Sequence, residues 1–507
     1  MDQLTRHHLN NKVEGFIRLI KPSSVRELAS SLHPEKKPCR IFSAPMKWSY
    51  NICFPVVFTD IADQSADIEP TRSAERWMIR IPLLPRLAFP EEKMRGEIAT
   101  MKYISQKTTI PIPHLFGYSI HRDNVLGLPF MAVEYIAGKT LHGIDVPRLS
   151  DELRLHLLDQ LADVYIQLYR QQFDHVGALT LDGDDEKWVF EHNRPLTIEL
   201  NDQELSGMNS SEIIPARQTY NSTIDYAYAV LKLVFNDFYR GRDSILNEKD
   251  ARNYLYGIFA SQGIVMEWVN QEDNHGPFIL MHGDFRPPAQ YLFIDWEWSH
   301  TVPPQMFVPP SWITGQELPA ATRKPYDYSF IVQASRFERA TMEREDRYYN
   351  PEKRYKYTLP IAQRLATNLL PKKMFIAYAL LKPCYLGNVY WNLLDRAYYG
   401  EDSSKRVENF FKLPLRKPLV EELQKKISEF EAFKQELEAA GLEPIAPEPA
   451  KPKKQDLPSV KHEPAALQRI WEHFDVESVV PFLPHWRYWL LVGVSVSVCC
   501  IMVRQRQ

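Results

Sequence analysis

Asp284 and Asp295 are the residues on which chemistry in this chain would turn. Each stands just past a short apolar run, FILM (278–281) or YLFI (291–294), and Arg286, Pro287 and Pro288 lie between them. Short apolar runs bounded by turn residues read as buried strands. Both carboxylates would then be presented at strand ends, facing one cleft. Carboxylates sharing a cleft with a cation can do acid/base work or hold a hard divalent ion. With His282, the same set also admits a metal-dependent hydrolase, although no further His/Asp cluster accompanies it.

The order HGDFRP (282–287) followed by IDWE (294–297) resembles the aminoglycoside phosphotransferase family, small-molecule kinases related in fold to protein kinases. HNRPLT (192–197) and the proline-rich TVPPQMFVPPSW (301–312) are most similar to its fungal members. The resemblance implies ATP and Mg2+ as cofactors. It makes Asp284 the catalytic-loop aspartate, headed in its motif by His282, and Asp295 the magnesium-binding aspartate. Arg286 would face the transferring phosphoryl group. One position departs from the family: an asparagine metal ligand is expected five residues after Asp284, and Ala289 stands there. The hairpin that normally precedes the metal aspartate is missing too. Either Gln290 substitutes as an oxygen ligand, or the site has lost one ligand, or the sequence comes from a mis-spliced gene model.

The elements that must position this stretch lie upstream. RIFSAPMKWSYNICFPVVF (40–58) reads as two strands joined by a turn, where such kinases cover the phosphates. It has no glycine, so a phosphate loop that includes Asn51 and an ordinary hairpin stay equally open. RWMIRIPLLP (76–85) alternates as a strand yet carries an internal cation, Arg80. The following helical pattern, Met94, Ile98, Met101 and Ile104, has Glu97 beside it. The resemblance makes Arg80 and Glu97 the pair that pins the nucleotide phosphates, against the plainer reading of a surface salt bridge. It makes Glu134 and Ile136, with Tyr135, the adenine edge at the hinge.

The expected fold class is α+β: a bilobal protein-kinase-like domain with a small β-rich lobe at 40–138 and a larger helical lobe at 139–440. Residues 1–39 are an N-terminal extension in which a helix is expected near 23–33. A long helix capped by Ser150 or Asp151 opens the large lobe, with Leu153, Leu157, Leu161, Val164, Leu168 and Phe173 as its apolar stripe. The acidic run 182–186 suits a solvated loop better than recognition of a cationic substrate. The prolines at 303–310 would wall an acceptor pocket or pack under the lobe. Residues 417–440 make a last docked helix or a pairing surface. A Pro/Lys-rich linker (441–480) precedes YWLLVGVSVSVCCIMV (488–503), an uncharged stretch of roughly 24 Å as a helix. Residues 486–503 thus read as a transmembrane tail anchor or a hydrophobic tail.

Composition sets the frame. The chain has 507 residues, 44% hydrophobic and 25% charged, with a net charge of −3 that gives no reason to expect nucleic acid. Five scattered cysteines fit a reducing compartment. The start has no signal-peptide apolar core, so the expected location is cytoplasmic, tail-anchored to an intracellular membrane if the tail spans it. Two functions follow: a kinase transferring the ATP γ-phosphate to a hydroxyl of a small molecule, or a catalytically inactive pseudokinase serving as a membrane-tethered binding or scaffold module. Neither the acceptor nor the oligomeric state can be read from the sequence.

Overall fold

The computed structural model describes residues 1–59, 74–137, 146–283, 295–323, 326–349 and 359–443. The chain divides into two units, Met1–Pro452 and Lys453–Gln507, and the second lies wholly outside the described residues. So do most of the linker and the whole of 486–503. Among the described residues no helix is long and apolar enough to cross a membrane.

One sheet organises the N-terminal part. Strands β1 (Cys39–Ile41), β2 (Met46–Lys47), β3 (Asn51–Phe58), β4 (Arg76–Pro82), β5 (Leu115–Ser119) and β6 (Phe130–Glu134) pair antiparallel in the order β1-β3-β4-β6-β5, with β2 also on β3. The stretch expected to be a single strand before the turn is two short ones. The carbonyl of Pro55 accepts from Phe42 N at 3.2 Å on the β1 side, and there proline has no N–H to return. The ladder therefore breaks between Ile41↔Val56 and Met46↔Cys53.

The alternation of β4 decides what each face meets. Trp77, Ile79 and Ile81 pack with Ile52, Phe54 and Val56 against Val13 of α1 (Gln3–Leu19) and Val25 and Leu28 of α2 (Pro22–Leu32). Residues 1–39, expected to be an extension, thus supply the cover for one sheet face. Burial of each large side chain there is worth about 1.5–3 kcal/mol. The opposite face meets α3 (Pro90–Lys107), whose Met94, Ile98, Met101 and Ile104 are buried with Met131 and Val133 of β6.

The rest is mainly helical. α4 (Asp151–Tyr169) begins at Ser150, whose side chain accepts from Leu153 N, as expected of a cap. Its expected stripe holds at Leu161, Val164 and Leu168, which are buried together with Tyr165 and Tyr169, but Leu153 is 58% exposed and Phe173 belongs to β7 (Gln172–Phe173). A hairpin of β8 (Thr180–Leu181) and β9 (Trp188–Val189) follows, then α5 (Ile198–Leu205), α6 (Thr223–Arg240) and α7 (Glu248–Trp268). Next come β10 (Phe278–Met281) and β11 (His300–Val302), paired antiparallel so that Met281 faces His300. The described ends of the chemistry-bearing stretch are thus held side by side, and the second expected strand, YLFI (291–294), lies outside the described residues.

Beyond β11 the proline-rich segment is core: Met306, Phe307 and Val308 are fully buried, and Tyr165 donates its hydroxyl to Val308 O at 3.0 Å. Of the two readings left open, packing holds for these residues. The remaining helices include α8 (Leu318–Ala321), α9 (Tyr326–Tyr348), α10 (Ile361–Asn368), α11 (Pro371–Leu381), α12 (Leu386–Val389), α13 (Asp395–Tyr399), α14 (Ser403–Lys412) and α15 (Lys417–Ala439). α15 docks, burying Leu423, Phe430, Phe433 and Leu437.

Candidate functional site

Arg80 faces α3 because it alternates out of phase with Trp77, Ile79 and Ile81 on β4. Glu97, on the buried face of α3, has its Oε1 3.1 Å from Arg80 Nη2. The same Nη2 lies 2.7 Å from Asp295 Oδ1. One turn earlier on α3, Lys93 Nζ lies 2.8 Å from Glu97 Oε2 and 2.5 Å from Glu297 Oε2. Asn51, the first residue of β3, donates its side-chain amide to that Glu297 oxygen at 3.1 Å. The result is a linear chain: Asp295, Arg80, Glu97, Lys93, Glu297, Asn51.

The Arg80, Lys93 and Glu97 side chains are at most 9% exposed and that of Glu297 is 10%, whereas Asp295 at 42% opens to solvent. Burial opposes every one of the inner charges, and their neighbours decide the outcome. The carboxylates of Glu97 and Asp295 overcome burial and raise Arg80. Glu297 and Glu97 do the same for Lys93. Glu97 is held below the usual carboxylate range by Arg80 and Lys93. Glu297 goes the other way, raised by burial and by Glu97 and Asp295 despite Lys93. With three carboxylates to two cations, the excess negative charge is felt there.

The backbone around Asp295 is special. Asp295 and Trp298 have φ of 64° and 62°, a region costly for tryptophan. The surroundings hold it. Tyr50, at the tip of the β2–β3 hairpin, meets the Trp298 ring edge-on at 5.0 Å. A Cβ on Gly283 would stand 2.2 Å from the Trp298 carbonyl oxygen, so glycine in HGD answers close backbone approach. His282 is buried against Trp296, ring centroids 4.9 Å apart. At the exit, His300 contacts Trp298 O at 3.0 Å through Nδ1 and the Tyr226 hydroxyl at 3.2 Å through Nε2.

Besides His282, packed on Trp296, the sequence-predicted residues fall into three groups. Arg80, Glu97, Asp295 and Asn51 are brought together, but the amide of Asn51 is spent on Glu297. Glu134 and Ile136 stand at the end of β6, where the backbone amides of Glu134 and Tyr135 donate to His114 O and Arg76 O. Asp284, Arg286 and Gln290 lie outside the described residues. Among the described residues there is no cluster of three or more metal-binding side chains. Asp295, 42% exposed at its side chain, is the carboxylate of this group that solvent reaches, whereas Glu297 Oε2 is taken by Lys93 and Asn51. Mg2+ is commonly held by one or two carboxylates together with substrate phosphates.

Lys93 and Glu297 were missed in the sequence, although the signals existed in the i,i+4 spacing of Lys93 to Glu97 and in the second acid of DWE. The HNRPLT stretch also acquires a task. Arg194, 1% exposed, grips Glu92 in the first turn of α3 through Nε and Nη2, both at 2.9 Å, and donates to Ile214 O at 2.9 Å. Asn201 accepts from Ala88 N and donates to Arg86 O, fixing the approach to α3. In the acidic run, Asp185 pairs with Arg95 of α3 and lies 3.3 Å from His121.

No family model matches the chain. It is 30% identical over 94 residues to altered inheritance of mitochondria protein 9, mitochondrial, of Meyerozyma guilliermondii, covering 18% of this chain and 15% of that one. The protein of that name from Zygosaccharomyces rouxii is 28% identical over 104 residues, 19% and 17% of the two chains. The chain thus spans under a fifth of the length of these curated relatives. Among solved structures, an aminoglycoside 2'-phosphotransferase in its GDP complex is similar at a TM-score of 0.31 and 15% identity, covering 69% of this chain and 95% of that one. An aminoglycoside phosphotransferase from Alicyclobacillus acidocaldarius gives 0.29 and 10%, over 79% and 93%.

Proposed function

We propose that residues 1–440, with the two N-terminal helices as part of the fold, form a kinase-like phosphotransferase domain that moves the γ-phosphate of ATP to a hydroxyl of a small molecule. The observation that carries this reading is the pairing of Arg80, on a central sheet strand, with both Glu97 of the next helix and Asp295 of the returning loop. A cation between those two carboxylates is placed to hold nucleotide phosphates. Asp295, the exposed end of the chain of charges, would hold Mg2+ with Glu297 behind it. The bound ion would neutralise charge on the phosphates. Asp284 would orient the acceptor hydroxyl and take its proton as the acceptor O–Pγ bond forms and the bond from Pγ to the β-phosphate oxygen breaks, releasing ADP. Arg286 would offset charge on the transferred group, while Glu134 and Ile136 would edge the adenine.

The second reading, a pseudokinase that binds without turnover, has its own support. Arg80 already neutralises Asp295, the Asn51 amide is committed to Glu297, and the asparagine ligand is replaced by Ala289. Calorimetry with ATP, with and without Mg2+, on wild type and Asp295→Ala tests the common premise. Binding that strengthens with Mg2+ and loses that gain in the variant supports it; a wild-type chain that binds no nucleotide overturns it. ADP formation then separates the readings. We expect far less than the roughly 1–100 per second of ordinary kinases.

A further inference from the structure

The buried chain of charges gives a task to a residue outside the motif. We propose that Lys93 is a positioning residue for the phosphate end of the cleft: it fastens Glu297, and with it the turn at Asp295, to α3. The proposal rests on the reading of Asp295 as the cation-holding carboxylate.

Asp295 is ill-suited to hold itself in place. Its backbone is left-handed, its side chain is 42% exposed, and its ion-pair partner among the described residues, Arg80, must share itself with phosphates once a nucleotide enters. The next acid along the chain is anchored by other means. Glu297 Oε2 receives both Lys93 Nζ and the Asn51 amide, so helix, hairpin and returning loop meet at one oxygen. Lys93 is 1% exposed at its side chain and touches Glu97 as well. It therefore spans two carboxylates, one on its own helix and one on the loop, and removing it cuts the ionic tie between them. When Arg80 turns to phosphate, the tie through Lys93 remains, and the turn keeps its place. This is the work of a residue behind the ligands: orienting the group that binds without binding itself.

Hydrogen exchange followed by mass spectrometry on the full chain tests this without turnover. In Lys93→Met, the acceleration of amide exchange at 295–302 should exceed that in β3 at least about tenfold. Lys93→Arg, which keeps the charge, should restore most of the protection. Affinity for Mg2+-ATP should fall about 10- to 100-fold, with affinity for ATP in EDTA unchanged. Exchange at 295–302 equal to wild type, or loss of protection spread evenly over the sheet, overturns the proposal. Should Lys93→Met fail to fold, Lys93→Met with Glu297→Gln removes both charges together, and the same exchange criterion decides. A wild-type chain that binds no nucleotide defeats the phosphotransferase reading, and the exchange comparison still judges the tie.

Discussion

Glu97 sits in the middle of the ion chain and Asp295 at its end, and that difference sets what each substitution should do. Glu97 is fully buried between Arg80 and Lys93, so taking away either cation leaves a carboxylate that water cannot reach. Arg80→Met should cost about 3–5 kcal/mol by urea unfolding, the usual consequence of breaking a buried pair. Arg80→Lys should cost less, because the charge is kept while the fork that reaches two carboxylates is lost. Equal stability of Arg80→Met and wild type would mean that the pair contributes nothing. That Arg80 needs a partner was legible in the sequence, since a cation on a buried alternating strand must be paired, while Glu97 as that partner is what the family resemblance implied. Lys93 and Glu297 were not legible. Their partners lie on different elements, and one-dimensional spacing gave Lys93 only a helical neighbour.

α3 carries two of the five linked charges, Lys93 and Glu97, so what fixes α3 fixes the site. Its packing against the sheet was legible from the spacing of Met94, Ile98, Met101 and Ile104. Its anchoring was not, because the clamp comes from HNRPLT, far along the chain. Arg194 lies over the Phe89 ring at 4.0 Å and holds Glu92 with two nitrogens. Arg194→Ala should lower stability by about 1–3 kcal/mol, since Ile214 O loses its donor while Glu92, 29% exposed, keeps access to water. In the same variant, exchange at 90–97 should quicken relative to 98–107. A uniform change along the helix would locate the clamp elsewhere. The first helix, α1, escaped the sequence reading for a related reason. Its Leu9, Val13, Phe16 and Ile17 recur at helical spacing, but they sit among charged and polar residues, and what they cover is known only once the sheet face is in place.

At the scale of the whole molecule, a second meeting of carboxyl groups lies outside the site, between helices of the larger lobe. Glu199 of α5 lies near Asp237 of α6, and Tyr254 of α7 donates its hydroxyl to Asp237 at 2.9 Å, so three helices meet around two carboxyl groups. Burial, and next the Asp237 charge, push Glu199 up to about 7, against the opposing hydrogen bond from Gln203. The folded chain therefore prefers Glu199 protonated. Stability from that preference is full below the ordinary carboxyl value of 4.5 and is lost progressively as pH rises to about 7. Glu199→Gln mimics the protonated state at every pH and keeps an oxygen for Gln203 to bond. Its melting temperature should exceed wild type clearly at pH 8, and the gain should shrink steadily toward pH 4.5. A gain independent of pH would mean that the substitution acts through packing. A loss at pH 8 would mean that the ionised carboxylate is a wanted partner of the three helices, which the arrangement of Asp237 and Tyr254 argues against.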